Sequence, residues 1–302
     1  MIPTGRQITL EHGDYRAVVT ELGASLRELS WRTRPLVLGF GEEELPVAYQ
    51  GTVLAPWPNR IADGRYDYDG TSFQLALTEP DRHNALHGLV IFSPWTVGTV
   101  DPAAVTLTHR LWPHPGYPFL LDLEVTYRLD ADGLTYRLAA TNAGDVPAPY
   151  GGSFHPYLVA GSGDVDGWTV TSPAASYLTV DRERLLPREV VPCDAGFDFR
   201  RPTSLRGVEV DHAFTDIAFD SGGSAELTLV DEAGSGVRMR WDDRCRWLQL
   251  CIPGPLRPRL HRQALAVEPM SCPPDAFNSG TDLVVLQPGD THSLELTIDA
   301  VA

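Results

Sequence analysis

His155 lies in the stretch "GGSFHPYL" and Glu268 in "AVEPMSCPPDAFN", and each directly precedes a proline, Pro156 and Pro269. A proline ring disfavours the helical region for the residue before it, so both side chains are expected to project from extended segments at or near strand ends. A fixed imidazole and a fixed carboxylate supply a proton donor and a proton acceptor near neutral pH, the minimum for general acid–base chemistry. That chemistry requires the two to meet across one face of a sheet.

Three further stretches combine polar groups with turn residues: "PWPNRIADGRY" (56–66), "NALHGL" (84–89) and "EVDHAFTD" (209–216). Asn59 and Arg60 suit a capped turn paired with an acidic surface as readily as a binding loop. His87, followed by Gly88, suits a satisfied loop histidine as readily as a ligand contact. No serine sits in a G-x-S-x-G turn, which removes the nucleophile-elbow hydrolases. His83 and His87 have the spacing of a helical zinc pair, but Asn84 stands where such a motif has glutamate and the segment does not read as helical. No metal site is expected.

Composition narrows the chemistry further. The 302 residues contain no lysine, so all 24 basic residues are arginine, and imine-forming aldolases, pyridoxal enzymes and Walker-A hydrolases are excluded for want of an amine. A formal net charge of −16 disfavours a phosphate backbone as partner, so nucleic acid is not expected. Cys193, Cys245, Cys251 and Cys272 show no C-x-x-C spacing, and reduced thiols in a cytoplasm are the expectation. No apolar run approaches the roughly 20 residues that span a bilayer. The N-terminal stretch lacks a basic segment followed by an apolar one, so a soluble, non-exported protein with no membrane partner is expected.

The elements that must position these residues are strands. Leu121, Leu123, Val125, Tyr127 and Leu129 alternate with Asp122, Glu124, Thr126 and Arg128, and after a turn at 130–133 the alternation resumes at Leu134, Tyr136, Leu138 and Ala140. This period of two predicts a β-hairpin with one buried face. Similar segments recur at 16–21, 26–31, 105–111, 225–230, 237–241, 247–252, 264–267 and 293–298. A short turn near Glu42–Glu44 aside, no amphipathic helix and no βαβ alternation is expected. The fold class that follows is all-β, an antiparallel sandwich or barrel, as a single domain over 1–302. The stretch 192–214 reads as a long packed loop anchored by Phe197 and Phe199.

Taken in order, "ELGASLREL", "NRI" with "DGRY", "LHG" (86–88), "GYPF" followed by the hairpin, "HPY" (155–157), "DHAF" (211–214) and "EPM…PDAFN" (268–278) resemble the aldose 1-epimerase (galactose mutarotase) family across about 270 residues. The resemblance implies a large antiparallel β-sandwich with a sugar site, acting on a small-molecule aldose without cofactor or metal, as a monomer or homodimer. It gives Glu268 the role of general base at the anomeric hydroxyl and His155 that of general acid at the ring oxygen. By the same matching Arg60 and His87 bind sugar oxygens, Asn59 shapes their loop, Asp211 accepts from ring hydroxyls and Gln249 faces the sugar from its strand. Trp57 or Trp247 is expected against the sugar's C–H side. "SFHPYL" and "LHGL" depart from the family's commoner patterns and resemble a divergent bacterial branch, so a galactose or glucose preference does not carry over. A hexose-6-phosphate 1-epimerase, needing Arg82, Arg182 or Arg184 near a phosphate, and a non-catalytic carbohydrate-binding sandwich are the alternatives.

Overall fold

The computed structural model describes residues 2–302. The alternating stretch forms a hairpin of two ten-residue strands, Leu121–Asp130 and Gly133–Asn142, paired antiparallel from Leu121 opposite Asn142 to Asp130 opposite Gly133. Leu121, Leu123, Val125, Tyr127 and Leu129 all turn inward and are buried, as a period of two requires. Thr291–Val301 pairs beside this hairpin, and the sheet continues in both directions to nine strands.

A second sheet of eight strands carries the chemistry. Its order runs Pro187–Pro192, Ala174–Val180, Asp211–Ile217, Trp247–Cys251, Leu265–Met270, Ser153–Phe154 and Val53–Leu54, with Tyr157–Leu158 also paired on Leu265–Met270. Leu248, Leu250 and Val267 of this sheet share one contiguous hydrophobic core with Leu123, Val125 and Tyr136 of the nine-stranded sheet. Phe154 stacks on Tyr136 at 4.3 Å between ring centroids with an interplanar angle of 13°, which joins the two layers directly. The all-β sandwich expected from periodicity is the fold observed. A four-stranded sheet, Gln7–His12, Tyr15–Thr20, Leu26–Trp31 and Arg34–Pro35, packs onto the same core, with the buried Tyr127 hydroxyl donating to the Ala24 carbonyl at 2.7 Å.

Parity along the second sheet sets which side chains leave the core. In Trp247–Cys251, Leu248 and Leu250 face inward, so Trp247, Gln249 and Cys251 take the opposite face. Gln249 is directly opposite Glu268 on the neighbouring strand, and Asp211 is opposite Cys251 on the other side. The alternation thus places Asp211, Gln249 and Glu268 together on the face turned away from the core.

The long loop ends earlier than its sequence suggests. Residues 211–214 belong to the strand Asp211–Ile217, because Ala213 and Phe214 are buried and pair with Gln249 and Leu248. The anchors hold: Phe199 is buried, and Phe197 packs against Tyr177, His212 and Phe214. Residues 42–43 form a turn. One short α-helix, Ala276–Ser279, was not foreseen.

Candidate active site

Glu268 lies in the extended strand Leu265–Met270, two residues from its end. Pro269 is tolerated there because the partner on that side is broken at the matching place. Ser153–Phe154 and Tyr157–Leu158 flank the interruption at His155 and Pro156, so no ladder bond is demanded of Pro269. Side chains close the gap: the Ser153 hydroxyl donates to the Pro269 carbonyl at 2.7 Å, and the Ser271 hydroxyl accepts from the Gly152 N–H at 2.9 Å. The residues preceding the two prolines are turned into the same space at this irregularity. His155 Nε2 is 3.2 Å from Glu268 Oε1.

The loop carrying Asn59 meets the one carrying His87. Arg60–Ala62 pairs with Asn84–Leu86, and His87 follows directly. Asn59 and His87 both take left-handed backbone conformations, with φ of 54° and 61°. Asparagine accepts that region readily, but histidine there is a strained placement of the kind found at functional sites. The Asn59 N–H donates to His87 Nδ1 at 3.2 Å, and the His87 N–H donates to the Asn59 carbonyl at 2.9 Å. Because Nδ1 is an acceptor, the neutral ring carries its hydrogen on Nε2 and is fixed as a donor.

Arg60 is aimed by Glu79, which takes Nε at 2.8 Å and Nη2 at 3.0 Å in a bidentate pair. Asn84 Nδ2 in turn donates to Glu79 at 2.9 Å. Gln249 Nε2 donates to Asp211 Oδ1 at 2.7 Å. All seven residues singled out from the sequence, Asn59, Arg60, His87, His155, Asp211, Gln249 and Glu268, line one pit of about 50 Å3. Tyr49, Tyr157, Cys251 and Arg257 line it as well and were not foreseen. Glu79 was also missed, although it precedes Pro80 and carries the same signal that singled out His155 and Glu268. The two tryptophans are elsewhere. Trp57 is buried against Phe277, and Trp247 donates its indole N–H to Asp282, so neither faces the pit.

Burial sets the proton inventory. His155 is pushed down to about 3 by desolvation, with the Arg257 charge adding to it. His87 is driven well below its ordinary value, first by burial and then by His155, Arg60 and Arg257. Glu268 is raised well above the usual carboxylate range by burial and by Asp211, against the pull of Arg60 and Arg257. Burial thus favours the neutral pair, a carboxylic acid beside an imidazole, over the charged one, with a single mobile proton between the two. Moving that proton along the 3.2 Å contact gives carboxylate and imidazolium without changing the charge of the site. Glu268 Oε2 and His155 Nδ1 are buried without a protein partner among the described residues.

The pit is far smaller than the roughly 300–1,000 Å3 usual for a ligand pocket. It adjoins a groove of about 730 Å3 that shares Arg60, Asp211, Cys251 and Arg257 with it. Arg82 and Arg182 also line the groove. Arg184 is a structural staple instead, donating to Asp63 and to the Arg82 and His83 carbonyls.

The family model for aldose 1-epimerase matches residues 6–299. The chain belongs to the aldose 1-epimerase family. Among relatives, the uncharacterized protein YihR of Escherichia coli (strain K12) is 37% identical over 297 residues, covering 98% of this chain and 93% of that protein. Human galactose mutarotase is 32% identical over 197 residues, 60% of this chain and 54% of that one. Among solved structures, the aldose epimerase homologue from C. elegans superposes with a TM-score of 0.86 at 22% identity, covering 98% of this chain and 99% of that one. The galactose 1-epimerase of Lactobacillus acidophilus NCFM gives 0.82 at 19% identity, covering 98% and 95%. These likenesses to solved structures establish the galactose mutarotase-like fold.

Proposed function

We propose that this aldose 1-epimerase family member interconverts the α and β anomers of an aldose, with Glu268 and His155 as the proton-transferring pair. The observation that carries this reading is their direct contact at 3.2 Å in a buried pit. The anomeric hydroxyl oxygen and the ring oxygen are both bonded to C1, so an acceptor and a donor in contact can serve both at once. Glu268, as carboxylate, takes the proton of the anomeric hydroxyl while His155, as imidazolium, protonates the ring oxygen. The C1–ring oxygen bond breaks and C1 becomes an aldehyde. Rotation about C1–C2 presents the other face, the ring hydroxyl adds to it, His155 recovers its proton and Glu268 returns one to the carbonyl oxygen. The proton and electron balance closes within the site. Arg60, His87, Asp211 and Gln249 hold the sugar's oxygens, with His87 as a donor through Nε2.

A second reading, a hexose 6-phosphate as substrate, is favoured by the charge of the groove. Five arginines and three carboxylates line it in a chain whose net charge is −16, and Arg82 and Arg182 are among the five. Polarimetry on freshly dissolved α-aldoses and anomer exchange measured by NMR on their 6-phosphates separate the readings. Accelerated exchange of neutral aldoses alone supports the first, and a higher kcat/KM for phosphates supports the second. A purely binding protein leaves every spontaneous rate unchanged.

A further inference from the structure

We infer that Tyr49 is the aromatic platform against which the sugar ring packs, the place the sequence had given to Trp57 or Trp247. This rests on the aldose reading. Tyr49 is half-buried in the pit wall, its ring edge-on to His87 at 4.7 Å between centroids and 6.1 Å from His155. Among the described residues its hydroxyl has no protein hydrogen-bond partner. No other tyrosine of the pit is comparably open, since Tyr157 is buried and stacks on His155 at 5.1 Å.

The backbone under Tyr49 gives the second observation. Ala48 and Tyr49 are consecutive residues in the left-handed region, with φ of 51° and 63°, a conformation that costs a side-chain-bearing residue stability at each position. Four contacts hold this turn. The Tyr157 hydroxyl donates to the Ala48 carbonyl at 3.0 Å, and the Thr52 hydroxyl to the Tyr49 carbonyl at 2.9 Å. The Gly51 N–H donates to the His155 carbonyl at 2.8 Å, and the His155 N–H to the Thr52 carbonyl at 3.1 Å. The strained turn is thus tied on both sides to the segment that carries the proposed acid, and its outcome is a phenol ring beside both histidines. An aromatic ring offers rigid contact area to the apolar C–H side of a sugar, and its tip remains free for a hydroxyl.

The test is sugar affinity by saturation-transfer NMR, with kcat at saturating sugar measured alongside. Tyr49→Phe should bind within about twofold of the parent, because the ring remains. Tyr49→Ala should weaken binding about tenfold, the scale of a lost aromatic contact, while kcat stays within about threefold. Tyr49→Leu keeps the bulk and gives the same reading should the alanine variant not fold. Unchanged affinity in the alanine or leucine variant overturns the inference. So does a loss of kcat at unchanged affinity, which would mean that Tyr49 acts only by positioning His87 or His155. A parent protein that binds an aldose without interconverting its anomers fails the proposed function and leaves the Tyr49 test intact, whereas one that binds no aldose sinks both.

Discussion

Replacing Glu79 by alanine is predicted to cost stability and sugar affinity together while sparing the proton-transfer step. The Arg60 side chain is 11% exposed and that of Glu79 18%, so the pair is close to buried, and the two hydrogen bonds at 2.8 and 3.0 Å make it bidentate. Burial works against the Glu79 carboxylate, yet Arg60 holds it below the usual range. Removing one partner of such a pair strands the other charge, at a cost of about 3–5 kcal/mol when fully buried. The opening toward the groove places this pair at the lower end, about 3 kcal/mol, which for a chain of 302 residues lowers Tm by roughly 5 °C. The affinity for sugar should fall at least tenfold, the worth of about one charged hydrogen bond from a misdirected Arg60. Urea unfolding of Glu79→Ala, Arg60→Ala and the double variant completes the cycle. The double variant should lose about 2 kcal/mol less than the sum of the single ones, because it leaves no stranded charge. Additive losses with KM unchanged in Glu79→Ala would refute the idea that Glu79 aims Arg60.

Two other perturbations address the site loops and the buried histidines. Gly88 has φ of 79° and a Cβ there would collide with the Ala55 carbonyl oxygen, so Gly88→Ala should destabilise by about 2 kcal/mol or more and displace His87, read as a Tm drop with raised KM. His87, held neutral by burial so that only the unfolded chain takes up its proton, should by itself lower the unfolding free energy by about 1 kcal/mol per unit of pH between pH 6.5 and 5. His155, lowered, adds the same slope down to about 3, but Glu268, raised, opposes it from the unfolded carboxylate value upward, so the pair largely cancels in that window. His87→Asn should therefore flatten the profile, with His109, His212 and His292, also lowered by burial, supplying what remains. An unchanged slope in that variant contradicts the assignment.

Strands whose two faces differ in polarity were legible from the chain. The segment 26–31 matches its strand to the residue, and 225–230 and 237–241 fall within a residue of theirs. The edge strand Pro187–Pro192 carries prolines at both ends and was not seen, and Ala174–Val180 lacks a strong apolar alternation. At the site, the residue-before-proline signal found His155 and Glu268 because it constrains the local backbone, and it would have found Glu79. Arg257, directly before Pro258, carries that same signal, whereas Tyr49 does not. Their place depends on a left-handed turn of alanine and tyrosine and on the turn-rich segment after Cys251, which only the assembled fold defines. Gln249 and Asp211 came from resemblance, and strand parity explains why they share a face with Glu268.

In the proposed reaction one proton, shared by Glu268 and His155, opens and recloses the sugar ring. Anomer exchange measured by saturation-transfer NMR on the most responsive aldose, in the parent protein, Glu268→Gln and His155→Asn, tests it most directly. In each variant kcat should fall roughly 10²–10⁴-fold, with sugar still bound. Exchange at the parent rate in Glu268→Gln, or a loss confined to KM in both variants, would contradict it.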